Sequence, residues 1–396
     1  TYRLDFSNFQ EPGTYYLKAG KAVSPRFPIN AQVYNGTADF LLNYMRQQRC
    51  GYNPFLKDSC HVHDGYIVYH PTKTGQHIDV RGGWHDATDY LQYTTTSANA
   101  IYQMMFAYQE NPEAFGDAYN AAGLPEANGI PDIVDEIKWG LDWLNRMNPA
   151  PGELYNQIAD DRDHAGMRLP NKDEVDYGYG PGKGRPVYFC SGEPQVRGKF
   201  TNATTGVAST AGKFAACFAL GARILKEFYP EFAAEIGEKA DAAYQEGVKK
   251  PGTCQTASVK SPYIYEEDNW TDDMELGAME LYKATGNPKY LEKAKYFCEE
   301  AGRLSDGRPA SPYSQDHKPI KEQDEAVGHA VRFGYLYSGV ADVAALCQDQ
   351  GFIEASKRLW NNITDRKLYI TGGIGARAWG EGFGENLLGY KNVHCK

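Results

Sequence analysis

The feature that most constrains the fold is a helical repeat of apolar residues. In "NGIPDIVDEIKWGLDWLNRM", residues 128–147, the apolar side chains recur at steps of three and four, with Pro131 at the start, at Ile130, Ile133, Val134, Ile137, Leu141 and Leu144. This spacing gives a helix one buried face, and a proline is typical of a helix start. The stretches "TAGKFAACFALGARIL", "DEAVGHAVRFGYLYSGVADVAALC" and "GFIEASKRLWNNI" predict further helices. A mainly α fold follows, with an α/α toroid among the options.

Two regions depart from this helical pattern. Residues 1–30 alternate apolar and polar side chains around "EPG" and "KAG" turns, which predicts strands. About 30 residues cannot bury a sheet of their own, so these strands must pack against something else. Residues 160–199 are rich in Gly, Pro, Asp and Tyr and are expected to form long loops that carry function. We therefore divide the chain into a β segment, residues 1–30, and a helical domain, residues 31–396.

Composition excludes some classes of partner. The net charge is -10 and no block of Lys and Arg occurs, which argues against nucleic-acid binding. No apolar run approaches the length of a membrane span. Aromatic residues make up 13% of the chain, including 29 Tyr; such rings suit stacking on sugars, although they equally fill cores.

The stretch "GGWHDATDY", residues 82–90, carries an aspartate pair, Asp86 and Asp89. Paired carboxylates move protons to and from water and glycosidic oxygens. Two aspartates alone are more often a helix cap and a solvated side chain. The residues of this stretch leave both interpretations open.

Cysteine and histidine residues surround the aspartate pair in sequence. Cys50, Cys60, His61 and His85 would make a sufficient tetrahedral zinc set. The alternative is a Cys50–Cys60 disulfide in an exported protein, with His61 and His63 exposed. Spacing alone does not choose between a structural metal and a disulfide.

Four motifs in order, "GGWHDATDY", "NGIPDIVDEIKWGLDWL", "TGVASTAGKFAA" and "DNWTDDMELGAMELYKATG", resemble glycoside hydrolase family 9 over residues 1–285. The resemblance implies an (α/α)6 barrel and the end of an immunoglobulin-like domain in residues 1–30. It implies an inverting endo-β-1,4-glucanase acting on a polysaccharide or oligosaccharide. Because such a polymer cannot cross a membrane, we expect an exported protein.

The resemblance also implies roles for individual residues. Asp89 would be the general base and Asp86 its partner in holding the attacking water, although Thr88 stands between them where the family usually has glycine. The resemblance also favours a structural Zn²⁺ bound by the two cysteines and two histidines over the Cys50–Cys60 disulfide.

The resemblance places His164 in a substrate-facing segment, the alternative being a surface histidine. From the residues themselves we expect a cleft lined by Trp84, Tyr90 and loop tyrosines, with loop packing equally open for Tyr177, Tyr179 and Tyr188. Trp270, Asp272 and Asp273 lie in a tract that offers oxygen ligands for Ca²⁺, but acidic residues at a helix start are the commoner explanation.

Beyond about residue 285 the motifs "EAVGHAVR" and "GEGFGE" resemble glycoside hydrolase family 127, the β-L-arabinofuranosidases. That resemblance implies sugar contact by His329 and acid/base chemistry by Glu381. The family's cysteine set is incomplete here, with Cys395 alone near the end. The family 9 acid is likewise unassigned, with Glu381 and Glu385 as candidates. Three hypotheses follow: an inverting glucanase, an arabinofuranosidase, and an inactive glycan-binding toroid.

Overall fold

The computed structural model describes residues 6–87, 89–164, 166–256, 267, 269–301, 310–369, 373–375, 377 and 382–386. Helices dominate these residues. The α-helices are α1 (Thr37–Gln48), α2 (Thr94–Glu110), α3 (Asp132–Arg146), α4 (Ala208–Leu225), α5 (Pro230–Lys249), α6 (Thr271–Thr285), α7 (Pro288–Glu300), α8 (Ala330–Cys347) and α9 (Gln350–Arg366). The strands are β1 (Gly13–Tyr15), β2 (Lys18–Ala19), β3 (Ala22–Val23), β4 (Phe27–Ile29), β5 (Gly51–Asn53), β6 (Asp58–Cys60), β7 (Tyr66–Val68), β8 (Gln92–Tyr93), β9 (Tyr155–Ile158), β10 (Pro186–Phe189), β11 (Val196–Arg197) and β12 (Phe200–Thr201).

The helices alternate between an inner and an outer position. Helices α2, α4, α6 and α8 contact one another in succession, while α5, α7 and α9 each pack on the helix that precedes them. Small residues allow the close approach of α4 and α6: a Cβ on Gly277 would lie 3.2 Å from the carbonyl oxygen of Gly212. This alternation is the arrangement expected of an α/α toroid.

The predicted helix at residues 128–147 is confirmed as α3. It begins after Pro131, has Asp132 and Asp135 in its first turn and Arg146 in its last, as the helix dipole favours. Its expected apolar face is buried, including Ile133, Val134, Ile137, Leu141 and Leu144. The three other predicted helices correspond to α4, α8 and α9.

Strands are also confirmed in the first 30 residues. Strand β1 pairs antiparallel with β4, and β2 with β3. Large apolar side chains on this segment are exposed, such as Phe6, Tyr16 and Val23. The assignment of this segment to an immunoglobulin-like domain stays a prediction.

A mixed four-stranded sheet, which the sequence did not predict, lies over the helices in the order β7-β10-β9-β8. Residues 160–199, expected to be loops, therefore contain β10 and β11, and β11 pairs with β12 just beyond them. Strand β9 runs antiparallel to β8 and β10, and β10 is parallel to β7. Because of these directions, the residues before β7, β8 and β10 and those after β9 all meet at one edge of the sheet. That edge carries the candidate site.

Among the helices in the described ranges, none combines the length and the apolar character that a membrane span requires.

Candidate active site and metal centre

Cys50, Cys60, His61 and His85 come together as one buried cluster. One ligand atom from each residue lies within 4.8 Å of all the others. His85 Nε2 is 3.3 Å from His61 Nδ1 and 4.0 Å from Cys60 Sγ. A tetrahedral zinc ion holds nitrogen ligands roughly 3.3 Å from each other and roughly 3.6 Å from sulfur. The donor set and its spacing therefore fit such a metal.

Local backbone contacts explain why these four side chains converge. Strands β5 and β6 form a hairpin in which Gly51 lies opposite Cys60. The amide of Cys50 donates to the carbonyl of Gly83 at 2.9 Å, and that of His85 donates to Gln48 at 2.9 Å. Both sulfurs are free thiols. The Cys50–Cys60 disulfide considered from the sequence is not what the structure contains.

Buried charged groups surround the cluster. Asp173 Oδ2 lies 3.0 Å from His61 Nε2, which directs His61 Nδ1 towards the other ligands. The guanidinium of Arg185, itself fully buried, donates to Cys50 Sγ at 3.5 Å and to Asp64 Oδ2 at 2.8 Å. Burial raises the pKa of the Cys50 thiol and lowers that of the His85 imidazole. A divalent cation among these groups would favour the thiolate that burial opposes.

The aspartate pair follows His85 directly and is more exposed than the cluster. Asp86 Oδ1 accepts a hydrogen bond from Thr96 Oγ1 at 2.7 Å, and Asp89 Oδ1 accepts one from the Leu91 amide at 3.1 Å. Neither side chain caps α2, whose N-cap residue, Tyr93, is extended. The helix-cap interpretation of the pair is therefore wrong for this helix.

Asp89 has the features of a proton-transfer group. Its side chain is 14% exposed, and Oδ2 lies 3.6 Å from His164 Nε2. Burial raises the pKa of Asp89, the neighbouring Asp86 raises it further, and His164 acts in the opposite direction. The structure thus brings His164 next to the aspartate pair, although the histidine and the pair come from separate motifs.

Two aromatic side chains expected in the cleft are instead covered by protein. Trp84 is 4% exposed, and its indole nitrogen donates to Glu136 Oε1 at 2.9 Å. Its ring packs against α3 where Gly140 leaves room, since a Cβ there would lie 2.2 Å from the indole. Tyr90 is also 4% exposed and lies beneath the guanidinium of Arg168. The expectation that these two rings line an open cleft is thereby corrected, since each is used to pack the loop.

The loop tyrosines differ among themselves. Tyr188 is buried, and Tyr177 is partly covered by Arg162, which lies 3.9 Å from its ring centroid. Tyr179 is 48% exposed and stacks on Tyr66 with the ring centroids 3.7 Å apart. Of the three tyrosines, Tyr179 alone presents a large exposed ring.

Sequence reasoning missed two residues that hold the site in place. The Glu136 carboxylate binds Arg49 through both oxygens, at 3.1 and 2.7 Å, and also receives the indole of Trp84. Arg49 and Trp84 directly precede the cluster residues Cys50 and His85. The sequence "PDIVDE" places Glu136 on the apolar face of the predicted helix. This position could have indicated a buried partner, because a buried carboxylate requires one.

The acidic tract considered for calcium forms ion pairs with a lysine. Lys213 Nζ lies 2.7 Å from both Asp273 Oδ2 and Glu267 Oε1. Burial raises the pKa of Asp272. Asp272 and Asp273 lie in the first turn of α6, as the helix-start interpretation expects, and Asp273 is paired with an ammonium group. Calcium binding at this tract stays a prediction.

The two motifs of the C-terminal region also meet. His329 forms a β-bridge with Gly382, and the Phe383 amide donates to Gly328 at 2.8 Å. His329 is the N-cap of α8 and accepts from the Arg332 amide. Glu385 is exposed. Glu381 and Cys395, as well as Thr88, lie outside the described residues.

Comparison with known proteins is consistent with this geometry. Endoglucanase D of Acetivibrio thermocellus is 28% identical over 309 residues, which are 73% of this chain and 44% of that protein. The chain thus spans less than half the length of this relative. A non-reducing end β-L-arabinofuranosidase of Bifidobacterium longum subsp. longum is 37% identical over 131 residues, 28% of this chain and 20% of that protein.

A solved structure supports the fold. The crystal structure of a metagenome-derived glycoside hydrolase family 9 endoglucanase superposes with a TM-score of 0.62 at 24% identity, covering 95% of this chain and 73% of that one. The predicted (α/α)6 architecture is confirmed by this similarity. The sequence profile of glycosyl hydrolase family 9 matches residues 34–357. Because this match covers most of the chain, the chain belongs to glycosyl hydrolase family 9.

Proposed function

We propose that this protein hydrolyses β-1,4-glucan with inversion at the anomeric carbon, using Asp89 as the general base. The observation that carries the proposal is the position of Asp89: one carboxylate oxygen is fixed by the Leu91 amide, while the other faces His164 on a partly exposed surface. A base must be ionised and must reach a water molecule. Family membership, together with the endoglucanase relative, supports glucan as the substrate.

Each neighbouring residue has a distinct role in this proposal. Asp86, held by Thr96, would orient the same water molecule from the other side. His164 would contact the sugar beside Asp89, while Trp84 and Tyr90 fix the loop from beneath. Glu381 is the proposed acid that protonates the leaving oxygen, and its sequence neighbour Gly382 pairs with His329.

We further propose that the Cys/His cluster binds a structural zinc ion. Four side-chain ligands complete a tetrahedral set, so no position remains for substrate, as is typical of structural zinc. When bound, the metal would hold the β5–β6 hairpin to the residue that precedes Asp86. Lys213 pairs with Asp273 and Glu267 in the acidic tract near α6, and the metal proposal is confined to zinc at the Cys/His cluster. The polymeric substrate supports a site of action outside the cytoplasm.

An NMR time course on soluble β-1,4-glucan oligosaccharides tests the main proposal. We expect release of the α-anomer by the wild-type protein and none by Asp89→Asn. Asp142→Asn, which changes a partly exposed aspartate of α3, is the matched control and should retain full activity. Release of the β-anomer, or full activity of Asp89→Asn, would contradict the proposal. Binding of the oligosaccharide without turnover would instead identify a glycan-binding toroid.

One observation favours a second candidate, an arabinofuranosidase. The relative from Bifidobacterium longum subsp. longum is 37% identical over 131 residues, and the structure pairs His329 with the neighbour of Glu381. Release of arabinose from an aryl β-L-arabinofuranoside, lost in Glu381→Gln and on thiol alkylation, would support this candidate. Arabinose release that survives both changes would reject it.

A further inference from the structure

We propose that Arg168 is a positioning residue that joins the Cys/His cluster to the Asp89–His164 pair. The proposal rests on the proposed function of Asp89. Among the contacts that the structure describes, the Arg168 side chain touches no cluster ligand and not Asp89 itself. It contacts Asp173, the partner of His61, and also Asp163 and Tyr90, the sequence neighbours of His164 and Asp89.

The first contact of Arg168 leads to the cluster. Its Nε lies 2.7 Å from Asp173 Oδ1, and the other oxygen of Asp173 lies 3.0 Å from His61 Nε2. Asp173 therefore binds Arg168 and His61 through its two different oxygens. A carboxylate in this position fixes the tautomer and the orientation of a histidine ligand. Arg168 fixes the carboxylate in turn.

The second and third contacts lead to the proposed base. Arg168 Nη2 donates to Asp163 Oδ1 at 2.6 Å, and Asp163 directly precedes His164. The guanidinium also lies 4.3 Å from the centroid of the Tyr90 ring, and Tyr90 directly follows Asp89. In addition, the Tyr90 hydroxyl donates to the carbonyl of Arg168. One side chain thus holds both residues that flank the pair.

The charges around Asp163 make this arrangement sensitive to Arg168. The Asp163 side chain is fully buried, and its burial raises its pKa. Arg168 supplies its shortest ion pair, whereas Arg185 Nη1 is 3.7 Å away. Loss of Arg168 would leave a buried carboxylate with weakened compensation, so the backbone at residues 163–164 would have to shift. Such a shift would move His164 relative to Asp89.

A matched control lies in the same loop. Arg162 also makes a forked ion pair, with Asp160 at 2.9 and 2.7 Å, and also covers a tyrosine ring. It has no described contact with Asp173, Asp163 or Tyr90. A purely structural role for loop arginines predicts the same consequences for Arg168→Gln and Arg162→Gln.

The experiment measures kcat, KM and zinc retention for Arg168→Gln, Arg168→Lys and Arg162→Gln in the zinc-loaded protein. We expect Arg168→Gln to lower kcat by about 10–100-fold with KM changed less than about threefold, and a competing chelator to remove zinc at an about tenfold lower concentration. Arg168→Lys should restore part of kcat, because lysine keeps the charge but not the fork. Arg162→Gln should stay within about twofold of the wild type in all three quantities.

Two outcomes would overturn the proposal. One is a kcat for Arg168→Gln equal to that of Arg162→Gln; the other is equal zinc retention in the two Gln variants. If Arg168→Gln does not fold, the same comparison is made with Arg168→Lys. Zinc retention does not depend on turnover, so an inactive wild-type protein would reject the proposed function while the chelator competition still decides the role of Arg168.

Discussion

His85 and Asp89 lie four positions apart in sequence but in contrasting environments. His85 is 4% exposed and its ring nitrogen faces two other cluster residues, His61 and Cys60. Asp89 is 14% exposed, with one oxygen beside a histidine that is itself 29% exposed. The difference teaches that a short stretch can be anchored at one end and open to solvent at the other. If the comparison is correct, changes at the anchored end should affect stability, and changes at the open end should affect chemistry.

The largest expected effect is on chemistry. Asp89→Asn should lower kcat/KM on β-1,4-glucan by about 1,000-fold or more, because the amide cannot accept the proton of the attacking water. Asp86→Asn should lower it by about 100-fold, since it removes one of two groups that orient the water. Initial-rate measurements on both variants check this order. A greater loss in Asp86→Asn would exchange the two assigned roles.

Loss of a cluster ligand should affect stability most. Cys60→Ser should lose the metal, and with it about 4 kcal/mol if free zinc exceeds its Kd about a thousandfold. Calorimetry with metal analysis should show a Tm lower by about 10 °C. Cys347→Ser, at a half-buried cysteine outside the cluster, is the control. Equal melting of the two variants would mean that the cluster binds no stabilising metal.

The contacts of Glu136 extend the anchored end into α3. Glu136→Gln should reduce the free energy of unfolding by about 3 kcal/mol, because it leaves the buried guanidinium of Arg49 without its charged partner. Denaturant unfolding measures the change. Glu235→Gln, at a half-exposed ion pair of α5, should change stability by less than about 0.5 kcal/mol. If the two variants lose similar amounts of unfolding free energy, Glu136 does not stabilise the anchored end of the stretch.

A smaller effect is expected at the open end when pH is varied. The acidic limb of kcat/KM reports the pKa of the ionised base in the free enzyme. Burial raises the pKa of Asp89 and His164 lowers it. His164→Gln should therefore move this limb to higher pH, by a few tenths of a unit for a partly exposed pair. If the acidic limb of kcat/KM does not move, His164 does not affect the pKa of Asp89.

The smallest expected effect is that of Asp89 on the stability of the protein, as distinct from its role in catalysis. Because its pKa is raised in the folded protein, the folded state binds the proton more tightly, and stability is lost as pH rises from the unfolded-state pKa through the folded-state pKa. Asp89→Asn should therefore raise the stability at pH 7 by less than about 1 kcal/mol. This gain in stability should vanish below about pH 3, where the Asp89 carboxyl is protonated in both the folded and the unfolded state. Thermal melts at the two pH values test the sign.

The sequence predicted those features that rest on local patterns. Pro131 and the apolar steps behind it located α3, and the resemblance of motifs brought the four cluster residues together. It could not predict the partners Asp173 and Arg185, because they come from residues more than 80 positions beyond the ligands and follow no local pattern. It misplaced Trp84 and Tyr90 for a related reason, since an aromatic ring looks the same in sequence whether it faces solvent or the core.

The four cluster residues all lie between positions 50 and 85. Bringing such nearby positions together requires the closure of only short chain segments, which has a small entropic penalty. Asp173 and Arg185 must instead arrive across a much longer loop. We therefore expect the cysteines and histidines to gather first during folding, and the residues that hold His61 and Cys50 to join later. If the cluster binds the proposed zinc, a partly folded chain should lose it to a chelator more easily than the folded protein does, which chelator challenge during refolding measures.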